Sequence, residues 1–249
     1  MLSPDWLSAF VPIGILRSPT DWTPIGAGVL LHDPPVIWLI TAGHVVKTAK
    51  DHDIAPLVTR REGGLVVVNL REIQGKNAYG WHFDEKRDMA ATLMPLSNDW
   101  LVKAVDEKLC IKANEIIPSM QCYTVGCPYG VRGFDPQRST PLVLDGVIAG
   151  IDTGSGIIYT SVPTFPGNSG GPIIVRRDPF DASGRLTVGQ PVVLLAGVIL
   201  EASVVSAPTR SAPGTLPPLH LGIGMSIEAA LSLIKSPNLQ RERDNVLSK

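Results

Sequence analysis

The sequence predicts an all-β protein whose short strands close into barrels or sandwiches. Apolar, β-branched runs with a period of two recur along the chain. Clusters of Gly, Pro, Asp and Ser separate them, and a helical period stands out only near the C-terminus. The predicted strands are residues 25–31, 36–41, 65–73, 89–95, 121–126, 142–151, 157–161, 171–175, 192–200 and 219–225.

Turn signals lie between these strands and define their ends. Each combines residues that favour tight turns, such as the HDPP and DTGSG clusters. They lie at residues 32–35, 62–64, 135–141, 152–156 and 181–184. So many short strands with regular turns favour sheets that close on themselves.

The one clear helix follows Ser226, which can cap its first turn, and stops at Pro237. Its apolar residues fall on one face: Ile227, Ala230, Leu231 and Ile234. We expect this helix to pack against the sheets and to take no part in chemistry. The polar tail at residues 237–249 is expected to be mobile, and a short helix is predicted at residues 42–48.

Composition excludes several classes of function. The net charge is −1, which provides no general attraction for nucleic acid or an anionic membrane. The longest apolar run, residues 192–200, is about half of what a membrane helix needs. The N-terminus has no secretory-signal pattern, and three cysteines do not form a disulfide framework, so a cytoplasmic protein is expected. No metal site and no cofactor is predicted.

The segment TFPGNSGGPIIV surrounds one serine, Ser169, with glycines and prolines. A serine becomes a nucleophile only when a base removes its proton and fixed donors stabilise the oxyanion. Gly167 can turn its N–H and that of Ser169 toward one point, while Gly170 and Gly171 leave room for a substrate backbone. A glycine-rich turn without chemistry is the alternative that this segment alone leaves open.

Five histidines are candidates for the base: His32, His44, His52, His82 and His220. His44 is favoured because it follows directly on an apolar strand, in WLITAGHVV. The small residues before it, Ala42 and Gly43, bring the imidazole close to the chain.

The segment GAGVLLHDPPVIWLITAGHV, followed far downstream by PGNSGGP, resembles the chymotrypsin-like (trypsin-like, PA clan) serine proteases, most closely the HtrA/Deg branch. VGCPYG at residues 125–130 and LGIGMSIEAALSLI near the C-terminus extend the resemblance over residues 12–234. It implies two six-stranded antiparallel β-barrels and a C-terminal α-helix. The first barrel would occupy residues 10–110, and the second, with the helix, residues 111–236.

The resemblance also implies the catalytic residues. In this family the chain order is His, Asp, Ser, which makes Asp88 the third member beside His44 and Ser169. Asp84 competes, but Asp88 directly precedes an apolar strand and Asp84 lies in a charged run. The oxyanion hole would be formed by backbone N–H groups of the residues Gly167, Asn168 and Ser169.

The specificity pocket implied by the fold has its base near Pro163, where no carboxylate would attract Arg or Lys. Its walls would be the strand residues Leu200, Glu201 and Ala202 on one side and Gly224 on the other. We expect a small or medium apolar residue before the cut. The sequence leaves open whether Glu201 faces the groove or solvent.

Departures from the family pattern limit what carries over. Asn168 replaces the Asp that pairs with a new N-terminal amine in zymogens, so activation by N-terminal cleavage is not expected. The chain ends soon after the helix, without room for a PDZ domain, and the oligomeric state stays open.

The predicted function is therefore a serine endopeptidase that acts on protein or peptide substrates. One alternative is an idle protease fold that binds proteins. Another is an esterase, although an α/β-hydrolase elbow fits poorly because Pro172 and a strand follow the serine.

Overall fold

A computed structural model describes residues 2–18, 21–49, 52–72, 80–95, 97–130, 140–179, 189–205 and 219–247, with the backbone alone at 202–205, 219–220 and 246–247. The described chain is mostly β-strand and ends in helices. Within it, no helix is both long enough and apolar enough to cross a membrane.

The N-terminal half forms an eight-stranded sheet. Seven strands follow the hydrogen-bonded order β5-β4-β1-β2-β3-β7-β6, and β8 pairs in parallel with β2. A short helix, α1 (Pro4–Ser8), precedes the sheet, and α2 (Gly43–Thr48) follows β3. The strands are β1 (Phe10–Ser18), β2 (Asp21–Asp33), β3 (Val36–Ala42), β4 (Asp53–Thr59), β5 (Leu65–Val67), β6 (His82–Asp84), β7 (Met89–Leu93) and β8 (Val105–Asp106).

The C-terminal half is a closed antiparallel barrel of six strands in the order β10-β11-β14-β13-β12-β9. Helix α3 (Ile227–Ile234) follows the last strand, and α4 (Pro237–Leu247) follows α3. The strands are β9 (Gln121–Gly126), β10 (Leu142–Asp152), β11 (Ile157–Thr160), β12 (Pro172–Arg177), β13 (Val192–Val205) and β14 (Leu219–Ser226). Short 3₁₀ turns lie at Glu107–Leu109, Ala113–Glu115 and Pro128–Gly130.

The predicted fold class is confirmed: an all-β protein of chymotrypsin type with a C-terminal α-helix. The N-terminal sheet has eight strands where six were expected. No strand was predicted at β1, β4, β6 or β8. Pro12, Gly14 and Pro56 interrupt the alternation of β1 and β4, and β6 and β8 are only three and two residues long. The strand predicted at residues 65–73 ends at 67; residues 70–72 are helical, and residue 73 lies outside the described residues.

The expectation of a mobile tail is wrong for residues 237–247, which form α4. Pro237 occupies the first position of α4, where proline starts a helix as readily as it ends one. Leu239 is buried against the core, with 2% of its surface exposed. Glu242 pairs with His82, and Arg243 Nη2 donates to the Pro34 carbonyl over 2.5 Å. The tail therefore ties the C-terminal end of the chain to the N-terminal sheet.

Three clusters of buried side chains form the core. One fills the N-terminal sheet around Leu30 and Leu39, and one fills the barrel around Ile158 and Ile173. The third joins the two halves and includes Ala27 and Met89 from the first, Val125 and Val198 from the second, and the apolar face of α3. Since the two halves share this core, residues from both are held together at their junction.

Candidate active site

His44 and Asp88 are neighbours because of strand register. β3 and β7 pair antiparallel, with Ala42 opposite Met89. His44 comes just after β3 and Asp88 just before β7, so the pairing brings them side by side. The Nδ1 atom of His44 lies 2.6 Å from Oδ2 of Asp88, and the backbone N–H of His44 donates to Oδ1 over 2.9 Å.

These two hydrogen bonds determine the state of the imidazole. The Asp88 carboxylate can only accept, so Nδ1 of His44 carries the proton toward it. In the neutral ring this leaves Nε2 as the acceptor, which is the arrangement that a general base needs. The side chains are 45% exposed at His44 and 35% exposed at Asp88, so the pair is accessible to solvent.

The backbone at Asp88 is in the left-handed region, with φ of 52°. Such a conformation is rare for residues other than glycine and occurs often at functional sites. The neighbouring turn is held by Asp84, whose carboxylate accepts from the backbone N–H and from Nη1 of Arg87, each over 3.1 Å. The carboxylate that contacts His44 is therefore that of Asp88, whereas the Asp84 carboxylate binds Arg87.

Ser169 lies in a loop, residues 165–171, that docks on β2. The backbone N–H of Ala27 donates to the Ser169 carbonyl over 2.8 Å. A Cβ atom added at Gly26 would be 2.9 Å from that carbonyl and 2.8 Å from the side chain of Val45, the residue after His44. The loop that carries the serine therefore lies next to the helix that carries the histidine.

Gly170 explains why this docking needs glycine. It has φ of 87°, and an added Cβ would come within 2.0 Å of the Ala27 carbonyl and 2.1 Å of Thr41 Oγ1. No hydrogen bond joins the Ser169 hydroxyl to any described residue, His44 included. Catalytic hydrogen bonds are often long without substrate and shorten once it binds.

One peptide group orients the N–H of Gly167, a residue predicted for the oxyanion hole. The Pro166 carbonyl accepts from the Tyr129 N–H over 2.6 Å. The Pro166–Gly167 peptide is trans, so the Gly167 N–H points away from the Pro166 carbonyl, and hence away from Tyr129. Gly167 has φ of 99°, and a Cβ there would strike the Cys127 carbonyl at 2.3 Å.

Of the three residues predicted for the oxyanion hole, only two keep a backbone donor available. The Asn168 N–H donates to the Phe165 carbonyl over 3.0 Å, which corrects its assignment to the hole. The N–H groups of Gly167 and Ser169 have no partner among the described residues. The Asn168 side chain is 2% exposed, and its Oδ1 likewise lacks a described partner.

The pocket residues are only partly where the sequence suggested. Pro163 and Glu201 are exposed, Leu200 is half-buried, and only the backbone of Ala202 is described, paired with Gly222. A Cβ at Gly224 would meet Ile173 Cδ1 of the barrel core at 2.2 Å, so Gly224 does not face the pocket.

Gly222, two residues before Gly224 on β14, faces two threonine hydroxyls. A Cβ there would be 2.6 Å from the hydroxyls of both Thr160 and Thr164 and 3.0 Å from the Val162 carbonyl. Thr160 Oγ1 is buried without a hydrogen-bond partner in the described chain. Sequence reasoning missed both threonines because their convergence depends on the pairing of β11 with β14.

The three cysteines form no disulfide; Cys127 lies beside the loop that carries Ser169, where its N–H donates to the Gly167 carbonyl over 3.4 Å. Burial raises the pKa of the Cys122 thiol to about 12, and burial together with Glu107 does the same for Cys110. Among the described residues, no group of three or more His, Cys, Asp or Glu side chains could hold a metal ion.

No protein-family model and no curated protein matches the sequence. Solved structures do match, including a serine-to-alanine variant of the HtrA-type protease AlgW with a tripeptide and with a decapeptide. The TM-scores are 0.56 and 0.53, the identity is 18% in both, and 92% and 91% of this chain is covered. This chain spans 60% and 61% of those chains, and the likeness shows that it has the chymotrypsin-like fold of HtrA-type proteases.

Proposed function

We propose that the protein is a serine endopeptidase whose triad is His44, Asp88 and Ser169. Residues 10–110 supply the base and its carboxylate, and residues 111–236 supply the nucleophile. The observation that carries the proposal is the double hydrogen bond from His44 to the Asp88 carboxylate, 2.6 Å at Nδ1 and 2.9 Å at the backbone. A binding surface alone has no need for an imidazole held in the tautomer of a general base.

The proposed reaction follows the general scheme for such triads. The Ser169 hydroxyl attacks the peptide carbonyl while Nε2 of His44 takes its proton. His44 then passes that proton to the leaving amine, which gives an acyl-enzyme and the first product. Water, deprotonated by His44, releases the acid. Asp88 stabilises the imidazolium in both steps, and the N–H groups of Gly167 and Ser169 stabilise the oxyanion.

The proposed preference is for a small or medium apolar residue before the cut. The residue predicted for the pocket base, Pro163, carries no charge, and Gly222 faces the hydroxyls of Thr160 and Thr164. We infer that these hydroxyls would leave too little room in the proposed pocket for a long side chain. A peptide library should therefore show cleavage after small residues, and a profile dominated by Arg and Lys would contradict this preference.

The first test of the function is covalent labelling with a fluorophosphonate, which needs only an activated serine and an oxyanion hole. We expect labelling of Ser169 in the wild type, located by mass spectrometry, and cleavage of casein. Ser169→Ala and His44→Ala should abolish both. A Ser169→Ala variant that still cleaves casein would refute the assignment.

The competing proposal is an idle protease fold that binds protein or peptide ligands. It predicts no labelling by the fluorophosphonate and peptide binding that survives Ser169→Ala. The two proposals are therefore separated by one measurement on the wild type.

A further inference from the structure

Thr41 is a buried polar residue at the point where the paired strands β2 and β3 separate. Their ladder ends with Val29 opposite Ile40, and Thr41 is the next residue of β3. None of its surface is exposed, and its hydroxyl donates to the Ala27 carbonyl of β2 over 2.6 Å. Buried backbone groups need hydrogen-bond partners. A side-chain hydroxyl therefore satisfies a carbonyl that lies beyond the end of the ladder.

Ala27 also binds the nucleophile loop, the segment of residues 165–171 that carries Ser169. Its N–H donates to the Ser169 carbonyl over 2.8 Å, while its carbonyl accepts from Thr41. The N–H and carbonyl of one extended residue point to the same side of the strand. The loop and the Thr41 hydroxyl therefore lie side by side against β2. They also meet at Gly170, where an added Cβ would be 2.1 Å from Thr41 Oγ1.

The other two residues of the proposed triad are also close to Thr41 along the sheet. His44 follows Thr41 by three residues, just after the end of β3. On the neighbouring strand β7, Thr41 is opposite Ala90, which follows Asp88 by two residues. The Gly43 N–H donates to the Asp88 carbonyl over 2.8 Å. Thr41 therefore lies where the three segments that carry the triad come together.

We propose that Thr41 is a positioning residue for the nucleophile: its hydroxyl fixes Ala27, and Ala27 fixes the backbone of Ser169. This inference rests on the proposed function and adds to it a residue that does not reach the substrate. A buried carbonyl that loses its donor is costly, so we expect β2 to shift toward another donor when the hydroxyl is removed. That shift moves the Ala27 N–H and the serine that it holds. A misplacement of about 1 Å can reduce the rate by about 10²-fold.

The test compares Thr41→Val, which keeps the shape of the side chain without its hydroxyl, with Thr41→Ser, which keeps the hydroxyl. On a fluorescence-quenched peptide, Thr41→Val should lower kcat by at least about tenfold. KM should stay within about twofold, because Thr41 is buried and does not contact the substrate. The rate of fluorophosphonate labelling should fall with kcat, since both reactions use the Ser169 hydroxyl. Thr41→Ser should restore kcat to within about threefold of the wild type, because the hydrogen bond is retained.

Thr92→Val is the matched control for the loss of a buried hydroxyl. Thr92 of β7 is also fully buried, and its hydroxyl donates to the Gly80 carbonyl over 2.9 Å. Gly80 precedes β6 at the edge of the N-terminal sheet, whereas Ala27 contacts the nucleophile loop. We expect both valine variants to lower the urea midpoint, because each leaves a carbonyl without its donor. Only Thr41→Val should lower kcat; Thr92→Val should keep it within about twofold of the wild type.

A second comparison applies if Thr41→Val does not fold. Thr41→Ser and Thr41→Cys have side chains of nearly the same shape, and the thiol is the weaker donor. We expect the kcat of Thr41→Cys to be at least about threefold below that of Thr41→Ser. Equal kcat values for these two variants would overturn the inference.

The outcomes separate this inference from the function on which it rests. Where the wild type is labelled at Ser169 and cleaves the peptide, an unchanged kcat in Thr41→Val overturns the positioning role and leaves the endopeptidase proposal intact. An equal loss of kcat in Thr41→Val and Thr92→Val has the same meaning. A wild type that is neither labelled nor active on the peptide would overturn both.

Discussion

Replacing Asp88 by asparagine tests the central pair of the site. The carboxylate accepts two hydrogen bonds from His44, one from the backbone N–H at 2.9 Å and one from Nδ1 at 2.6 Å. An asparagine amide has one acceptor oxygen and one donor nitrogen. Because the backbone N–H can only donate, the amide oxygen must face it, and the NH₂ group must then face Nδ1.

This orientation forces the wrong tautomer on His44. Nδ1 becomes the acceptor and Nε2 carries the proton, so Nε2 cannot take a proton from Ser169. We expect kcat to fall by about 10⁴-fold, the loss attributed to a wrong tautomer in a Ser-His-Asp triad. That is about 5.5 kcal/mol of transition-state stabilisation, from about 1.36 kcal/mol for each factor of ten. Folding should change little, because asparagine tolerates the left-handed φ of 52° at this position.

The assay is the fluorophosphonate labelling rate together with kcat on a quenched peptide. Circular dichroism on heating shows whether the variant still folds. Asp84→Asn is the matched control in the same turn, since Asp84 bonds to Arg87 rather than to His44. We expect it to keep activity within about threefold, as for a surface substitution. An Asp88→Asn variant with more than about a tenth of wild-type kcat would refute the tautomer reasoning.

Three further predictions concern the framework around the site. Gly170→Ala should lower the free energy of unfolding by more than about 3 kcal/mol and abolish labelling, because the added Cβ would lie 2.0 Å from the Ala27 carbonyl at φ of 87°. Urea unfolding measures the loss of stability, and a midpoint equal to that of the wild type would contradict the prediction. Leu239→Ala should lower the free energy of unfolding by about 2–5 kcal/mol, because Leu239 is buried where α4 docks. The control Arg241→Ala, at an exposed position of α4, should lower it by less than about 0.5 kcal/mol. Equal urea midpoints for the two variants would indicate that the tail is detached. Cys122 should stay a protonated thiol at pH 8, because burial raises its pKa to about 12, and it should resist iodoacetamide until the protein is unfolded. Peptide mapping measures this modification, and rapid modification of the native protein would contradict the burial of Cys122.

The strand pattern and the two motifs were readable from the sequence because they depend on neighbours along the chain. Alternation identified all six strands of the barrel, and the pattern around His44 and Ser169 identified the candidate base and nucleophile. The preference for Asp88 over Asp84 also came from local context, since Asp88 stands at the start of a strand. Four strands of the N-terminal sheet were not predicted, because proline and glycine interrupt β1 and β4 and because β6 and β8 are too short to show a period.

The docking of the tail was hidden for a different reason. Its residues after Pro237 are mostly polar, and among the side chains described there Leu239 alone is buried and apolar. One buried apolar residue does not make a helical period. The docking of α4 depends instead on the positions of His82 and Pro34, which contact Glu242 and Arg243 of α4.

The sequence by itself determined the fold class and the chemical identity of the proposed triad, because period, turn residues and motif spacing are properties of the linear chain. Only the tertiary structure decided which atoms meet. The register of β3 with β7 brought Asp88 to His44, the pairing of β14 with β11 put Gly222 rather than Gly224 beside Thr164, and the turn at Tyr129 oriented the Gly167 N–H. Each of these contacts joins segments far apart in the chain, and their relative placement follows from strand pairing and a shared core, which no local pattern encodes.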